Sequence, residues 1–262
     1  DSAVEDYAAG AIEPGQCVVK LATAGNVNVM TAAPAPHRLT LTYSHVVPGL
    51  WYTVSATNAA AVCLRWFRDA FLDGAPAGPR DSLYAALDRE AAGSPPGARG
   101  LFFHPYLQGE RSPYWDPALR ASFTGAALSH RRGDFARAVM EGVGFSLLDC
   151  RRVIDGLGLP IDSLRLIGGG AKSALWSQII CDMFGRPLAR PESCDAAFGA
   201  ALLAGVGAGV FADERDAAAR CVRLRDTLEP DPGRRDRYAA LFPTYRDIQR
   251  ALAPVYAGLV QP

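Results

Sequence analysis

The chain has 262 residues, of which 49% are hydrophobic, so it can bury a substantial core. Its 27 lysine and arginine residues equal its 27 aspartate and glutamate residues, which excludes a chain-wide charge that would attract nucleic acid or an anionic membrane. No apolar run approaches the roughly 20 residues that a membrane-spanning helix needs, and we therefore expect no membrane partner.

The start of the chain is predicted to form a short helix and then three strands. Asp1 resembles the N-cap of a helix whose preceding loop is missing, so we expect the chain to begin at a domain boundary or a cut. Apolar and alternating stretches then predict strands at 17–24, 26–31 and 39–43. Turn signals between these stretches favour an antiparallel meander.

The remainder of the chain is predicted to alternate helices with short strands. Helical periodicity indicates helices at 58–72, 81–92, 134–155, 175–184, 196–208 and 234–259. Short apolar runs indicate strands at 101–103, 164–167 and 188–190. This order implies a mixed α/β layer architecture rather than a helix bundle.

The cysteines and histidines give no metal signal. The six cysteines lie far apart and form no C-x-x-C pair, which argues against a zinc knuckle or a redox motif. Reduced thiols in a cytoplasmic protein are the favoured interpretation. The four histidines lack metal-ligand spacing and are interpreted as structural or surface residues, so no metal ligand is assigned.

The strongest local signal is a strand, three glycines and a helix within 164–184. Gly168, Gly169 and Gly170 allow a backbone to approach a ligand where a Cβ would collide, and the following helix presents free N–H groups. This pattern suits a nucleotide, although a tight turn in an ordinary α/β protein is an equal alternative. Neither a Walker A loop nor a dinucleotide fingerprint occurs, which leaves little support for an oxidoreductase.

Two further features are compatible with a nucleotide site. A hairpin turn with Thr23 and Gly25 at its tip can wrap a phosphate with N–H groups and one hydroxyl, whereas an ordinary hairpin is the simpler alternative. The helix N-terminus at Asp1 favours an ionised carboxylate, which suits a base that accepts a proton from a sugar hydroxyl. A simple cap or a frayed terminus explains Asp1 equally well.

Four segments carry motifs that occur together in one protein family. They are FHPYLQGERSP at 103–113 with WDP at 115–117, ASFTG at 121–125 with ARAVMEGV at 136–143, LIGGGAKS at 166–173, and FGAA at 198–201. In this order they resemble the FGGY family of carbohydrate kinases, and the resemblance covers nearly the whole chain. The segment at 103–113 favours the xylulokinase branch over the glycerol kinase branch.

The resemblance implies a fold and a set of partners. The expected fold is a ribonuclease-H-like lobe with a mixed sheet flanked by helices, and residues 1–262 would be the C-terminal nucleotide-binding domain of a two-lobed sugar kinase. The implied ligands are ATP, Mg²⁺ and a small sugar or polyol, and the N-terminal lobe of the same enzyme is the implied partner. Without that lobe we expect weak nucleotide binding and negligible turnover. A homodimer is left open.

The resemblance also implies roles for Asp1 and for the hairpin turn that carries Thr23 and Gly25. Asp1 stands where the family has its catalytic aspartate, so it is expected to deprotonate the sugar hydroxyl as it attacks the γ-phosphoryl group, with Mg²⁺ offsetting phosphate charge. Thr23 matches the threonine of the family's phosphate turn. Gly25 is the flexible residue of that turn, because alanines stand on either side of Thr23.

The remaining implied site residues would contact the nucleoside. Gly169, Gly170 and Ser173 belong to the segment that matches the family's adenosine motif, and a valine at Gly170 is expected to press against the nucleotide. Many family members have a glycine pair where this chain has Ala60 and Ala61, so we expect a tighter nucleotide pocket.

These features lead to two functional hypotheses. The first is ATP-dependent phosphorylation of a sugar hydroxyl, with D-xylulose as the favoured substrate and gluconate, ribulose or glycerol kinases of the same family as alternatives. The second is a non-catalytic relative that binds nucleotide or sugar, because alanines replace expected glycines at Ala22, Ala60 and Ala61. An intact phosphate loop in the first lobe would favour the enzyme.

Overall fold

The structure, a computed structural model, describes residues 1–71 and 80–259. The strands are β1 (Gln16–Leu21), β2 (Gly25–Thr31), β3 (Leu41–Ser44), β4 (Trp51–Thr57), β5 (Phe102–His104), β6 (Ser122–Thr124), β7 (Ser163–Ile167), β8 (Leu188–Pro191) and β9 (Leu224–Leu228). The helices are α1 (Ser2–Ala8), α2 (Ala61–Phe71), α3 (Arg80–Ala92), α4 (Arg132–Gly156), α5 (Ala174–Phe184), α6 (Ala196–Gly207), α7 (Glu214–Cys221) and α8 (Pro232–Leu259).

A seven-stranded mixed sheet organises the described part of the chain, with strand order β3-β4-β2-β1-β7-β8-β9. β1 to β4 pair with one another antiparallel, whereas β7 pairs parallel with both β1 and β8. β9 closes the opposite edge antiparallel to β8, and β5 and β6 form a separate small ribbon. The predicted α/β class with a mixed sheet flanked by helices is therefore confirmed.

The predicted three-stranded meander is incomplete, because β4 was missed. This strand lies between β2 and β3 in the sheet, so β3 does not pair with its predicted neighbour. Its residues alternate between apolar side chains and the polar Thr53, Ser55 and Thr57, a pattern that is typical of a strand with one exposed face and should have revealed it. All three polar side chains are instead fully buried, and the strand packs against α4. α7 and β9 were also missed, because both are rich in charged residues; β9 is the edge strand of the sheet, and α7 packs against α6.

Two hydrophobic cores cover the two faces of the sheet. Alternation along β1 directs Cys17, Val19 and Leu21 into the core beneath α2, α4 and α5, whereas Val18 faces the core beneath α1 and α6. β1 is thus buried on both faces, as expected for a central strand with a parallel neighbour. None of the helices in the ranges 1–71 and 80–259 combines the length and apolar character that a bilayer crossing requires.

Buried polar side chains attach α1 to the sheet. The Nδ2 of Asn28 in β2 donates hydrogen bonds to both carboxylate oxygens of Asp6, at 3.1 and 2.9 Å, and approaches the Oγ of Ser2 at 3.3 Å. Lys20 in β1 also forms an ion pair with Glu5. Burial raises the pKa of Asp6 to about 8, because desolvation outweighs the hydrogen bond from Asn28. The start of α1 is therefore fixed over β1 and β2.

This elevated pKa makes the stability of the protein depend on pH. Folded Asp6 keeps its proton up to about pH 8, whereas the unfolded carboxyl loses it near its ordinary value of 3.8, so this group lowers stability as pH rises through that window. The Oδ1 of Asn28 is buried and has no hydrogen-bond partner in the described structure. An amide at position 6 could donate to that oxygen.

We therefore expect Asp6→Asn to stabilise the protein at high pH. At pH 9 its free energy of unfolding should exceed that of the wild type by about 1–3 kcal/mol, and the difference should shrink at pH 6, where the wild-type carboxyl is neutral. Urea denaturation at both pH values measures this, with Asp236→Asn on the exposed surface of α8 as the control. A difference that is the same at both pH values would contradict the assigned pKa.

Candidate functional site

Two cavities meet at the turn between β1 and β2. One, here called the glycine cavity, has a volume of about 610 Å³, and its wall includes Thr23, Ala61, Gly169, Gly170 and Ser173. The other, here called the Asp1 cavity, also has a volume of about 610 Å³, and its wall includes Asp1, Lys20, Thr23 and Arg111. Both volumes fall within the range of small-molecule sites. Ala22 and Thr23 line both cavities and therefore form their common boundary.

The parallel pairing of β1 with β7 explains why the two sequence-predicted turns converge. Lys20 pairs with Ile167, so the residues that follow each strand emerge at the same edge of the sheet. At Gly168, where φ is +98°, a Cβ would come within 2.6 Å of the carbonyl oxygen of Leu21. Only glycine permits both this backbone conformation and this close approach.

The next two glycines, Gly169 and Gly170, differ in the direction in which a side chain at that position would point. A Cβ at Gly169 would meet no atom within 4 Å, so a larger side chain would enter open space at the cavity wall. A Cβ at Gly170 would lie 2.5 Å from the Cγ of Leu21, in the core. The expectation that a valine at Gly170 would press against a nucleotide is therefore wrong, since it would press against Leu21.

The β1–β2 turn is fixed to the start of α2 by two backbone hydrogen bonds. The N–H of Ala60 donates to the carbonyl of Thr23 at 2.8 Å, and the N–H of Ala61 donates to the carbonyl of Ala22 at 2.7 Å. Gly25 is not among the residues that line the glycine cavity. A Cβ there would come within 3.0 Å of three packed side chains, which makes Gly25 a packing residue beneath the turn.

Ser173 connects the glycine turn to α5. Its Oγ accepts a hydrogen bond from the N–H of Trp176 at 3.0 Å, which caps the helix. It also contacts the carboxylate of Asp88 on α3, whose pKa is raised by partial burial. Trp176 completes this wall, and its indole Nε1 donates to the carbonyl of Met140 at 2.9 Å.

Sequence reasoning missed the side of the glycine cavity that α2 and α3 form. Arg65, Tyr84 and Asp88 line it from these helices. Their positions in amphipathic helices look like ordinary solvated faces, so the linear sequence offers no signal for them. Only the packing of α3 against α4 and α5 brings Tyr84 and Asp88 to the glycine turn.

Asp1 lies at the start of α1 and borders the Asp1 cavity together with Thr23. Its carbonyl accepts the N–H of Glu5 at 2.9 Å, but its side chain caps no N–H of α1. The carboxylate is exposed and remains available to a group in the cavity. The structure therefore brings together Asp1, the β1–β2 turn and the glycine turn.

A third cavity, of about 620 Å³, contains none of the sequence-predicted site residues. Arginine side chains line it, but each of them forms an ion pair with a carboxylate: Arg99 with Asp134, Arg137 with Glu141, and Arg234 with Asp182. Their charges are already compensated, so this cavity offers less to an anionic ligand than the glycine cavity and the Asp1 cavity do.

Comparison with known proteins identifies the family. The model for the C-terminal domain of the FGGY family of carbohydrate kinases matches residues 17–208. The chain belongs to this family. It is 31% identical over 264 residues to the xylulose kinase of Staphylococcus epidermidis, covering 99% of this chain and 52% of that protein. It is 28% identical over 267 residues to the gluconokinase of Bacillus subtilis, with coverages of 99% and 52%.

Solved structures agree with this assignment. The crystal structure of xylulose kinase from Rhodospirillum rubrum superposes with a TM-score of 0.86 at 29% identity, covering 98% of this chain and 51% of that one. The expected ribonuclease-H-like lobe of a sugar kinase is thereby confirmed. This FGGY chain spans about half the length of the curated relatives it matches. The family match begins after Asp1, so support for any role of Asp1 has to come from its position in the structure.

A side chain at Gly169 would point into open space and one at Gly170 would point into the core, and this difference gives a prediction about the glycine cavity. Gly169→Val should raise the dissociation constant for ATP about tenfold or more, because its methyl groups occupy space at the cavity wall, and should change stability little. Gly170→Ala should instead lower the free energy of unfolding by about 1–3 kcal/mol through its contact with Leu21.

Intrinsic tryptophan fluorescence during an ATP titration measures the first effect, since Trp176 lies in the cavity wall, and urea denaturation measures the second. The two variants are matched controls for each other. Weaker ATP binding by Gly170→Ala alone, with Gly169→Val unchanged, would contradict this assignment of the cavity wall.

Proposed function

We propose that this chain provides the ATP-binding lobe and the catalytic carboxylate for phosphorylation of a sugar hydroxyl, with conversion of D-xylulose to D-xylulose 5-phosphate as the favoured reaction. One observation carries the proposal: Thr23 borders both the glycine cavity and the Asp1 cavity. A nucleotide whose phosphates reach Thr23 would present its terminal phosphate to a hydroxyl held beside Asp1. Membership of the FGGY family of carbohydrate kinases supports ATP and a sugar as the two substrates.

The walls of the glycine cavity suit a nucleotide. Val62, Leu64 and Trp176 offer apolar surface for a base, whereas Ser173 and Lys172 offer polar groups. The open space beside Gly169 allows a ligand to approach the backbone of the glycine turn. These features support the roles proposed for Gly169, Gly170, Ser173 and Ala61 in the wall, while Gly25 supports the turn from beneath.

The chemistry proposed for the Asp1 cavity is a direct phosphoryl transfer. The sugar oxygen attacks the γ-phosphorus, the bond from that phosphorus to the β–γ bridging oxygen breaks, and its electron pair leaves with ADP. Asp1 accepts the hydroxyl proton, because its carboxylate is exposed to the cavity and is not used as a helix cap. Thr23 holds phosphate oxygen at the boundary between the two cavities.

Mg²⁺ is proposed as the metal that accompanies ATP. The described residues contain no group of three or more side chains that could hold a metal ion by themselves. Mg²⁺ in nucleotide sites keeps several waters and is held largely by the phosphate oxygens of the substrate, so the boundary between the two cavities, where the phosphates are proposed to lie, fits such an ion. Because Asp1 is proposed as the base, no residue of this chain is assigned as a ligand of the ion, which would offset phosphate charge.

The sugar is proposed from the relatives and from the motif at 103–113. Xylulose kinases and gluconokinases both match nearly the whole chain, which makes gluconate the principal alternative substrate.

The first lobe is proposed as the partner that supplies most sugar contacts, and the homodimer stays a prediction. All six cysteines are free thiols, which supports a reducing compartment such as the cytoplasm. The non-catalytic alternative predicts nucleotide binding without turnover.

Replacement of the proposed base provides the direct test. In the full-length protein with both lobes, Asp1→Asn should lower kcat by about 10²-fold or more, because no carboxylate accepts the proton, while the KM for ATP stays unchanged. A coupled ADP-release assay across ketoses, gluconate and polyols measures this and identifies the sugar. Asp213→Asn, at the N-cap of α7, is the matched control. Turnover that survives Asp1→Asn would rule out Asp1 as the base.

A further inference from the structure

The loop that follows β5 carries an arginine whose role the preceding sections leave open. Its neighbour Glu110 anchors the loop, since the buried carboxylate accepts hydrogen bonds from the hydroxyl of Thr57 and from the N–H of Asn58 at 2.8 Å. On the other side, the N–H of Ser112 donates to the carbonyl of Ala56 at 3.0 Å. Arg111 is therefore held between two fixed points above the end of β4.

The position of Arg111 relates directly to the β1–β2 turn. Its Nη2 donates to the carbonyl of Thr57 at 3.2 Å, and Thr57 is the ladder partner of Gly25, the first residue after the turn. Arg111 also lines the Asp1 cavity together with Asp1 and Thr23. The guanidinium thus approaches the cavity from the side of β4, while Thr23 approaches it from the end of β1.

The guanidinium of Arg111 forms no ion pair within the described residues, although the carboxyl group of the adjacent Glu110 attracts it over a longer distance. None of the ion pairs found in residues 1–71 and 80–259 includes Arg111, whereas Lys20, the other cation of the cavity wall, is paired with Glu5. The Nε of Arg111 is buried and has no hydrogen-bond partner in this part of the chain. The side chain as a whole is only half-buried and lines the cavity, so its other guanidinium N–H groups are available to an anionic ligand there.

We propose that Arg111 binds the phosphoryl group as it passes from ATP to the sugar hydroxyl. This proposal deepens the proposed function and rests on it. A guanidinium is always charged, and its planar set of donors matches the non-bridging oxygens of a phosphoryl group. Arg111 donates hydrogen bonds to those oxygens and undergoes no covalent change. In this role it would stabilise the charge that spreads over the phosphoryl oxygens during transfer.

Kinetics of the full-length protein test this role. Arg111→Gln should lower kcat by about 10²–10³-fold while the KM values for sugar and ATP change less than about threefold, because the contact is strongest in the transition state. Arg111→Lys should restore part of the rate, since a lysine keeps the charge but not the planar donor set. Arg120→Gln in the same loop is the control, because Arg120 donates only to the nearby carbonyls of Pro117 and Leu119 in the described structure.

A binding measurement separates this proposal from the proposed function. ADP, Mg²⁺ and aluminium fluoride together mimic the transferring phosphoryl group. Fluoride-dependent tightening of ADP binding should occur in the wild type and in Arg120→Gln, and it should be lost in Arg111→Gln with ADP affinity unchanged. Tryptophan fluorescence measures the affinity for ADP with and without aluminium fluoride, and a thermal melt confirms that each variant is folded.

Three results would overturn the role of Arg111. They are a kcat for Arg111→Gln within threefold of the wild type, a loss confined to the KM for sugar, and unchanged tightening by aluminium fluoride. In the first of these cases, an accompanying loss of thermal stability would assign Arg111 a structural role instead. Wild-type protein that binds ADP but never turns over a sugar would contradict the proposed function, and the fluoride titration would still decide the role of Arg111.

Discussion

The parallel pairing of β1 with β7 is the constraint on which the candidate site depends. It brings the residues after both strands to one edge of the sheet, although these segments lie more than 140 positions apart in the chain. The pairing also places Gly168 against the carbonyl of Leu21, so close that a side chain at this position is excluded. Both turns are thus fixed by the sheet itself.

Buried polar contacts support the two sides of the Asp1 cavity. On one side, Asn28 and Asp6 hold α1 against β2, so that Asp1 begins a helix whose position is set from beneath. On the other side, Glu110 and Ser112 hold the loop of Arg111 against β4. Buried hydrogen bonds of this kind are costly to break, because the groups left behind have no water to bond to. They are therefore suited to hold Asp1 and Arg111 in fixed positions on the two sides of the cavity.

The two cavities also differ in what they offer a ligand. The glycine cavity is enclosed by helices α2, α3 and α5 and combines apolar walls with a bare backbone turn, which suits recognition of a nucleoside. The Asp1 cavity contains the exposed carboxylate of Asp1 and the guanidinium of Arg111, which forms no ion pair in the described residues, and this combination suits the proposed phosphoryl transfer. Thr23 lines both, so the proposed nucleotide binding and the proposed phosphoryl transfer would share a single turn.

The sequence by itself determined the local elements and the motifs. Gly168–Gly170, Thr23 and Asp1 could be selected because glycine runs, hydroxyl-bearing turns and helix N-termini have local physical signatures. The order of the motifs indicated the family and thereby the ribonuclease-H-like fold.

Tertiary structure alone decided which side chains face a cavity. It directed the Cβ position of Gly170 toward Leu21 and buried Gly25, brought Tyr84 and Asp88 to the glycine turn, and left the Nε of Arg111 without a hydrogen-bond partner in the described residues. These outcomes depend on contacts between segments far apart in the chain, such as the strand β4 that local pattern did not reveal. A linear pattern records spacing along one element, whereas the direction of a side chain in space follows from what packs against that element.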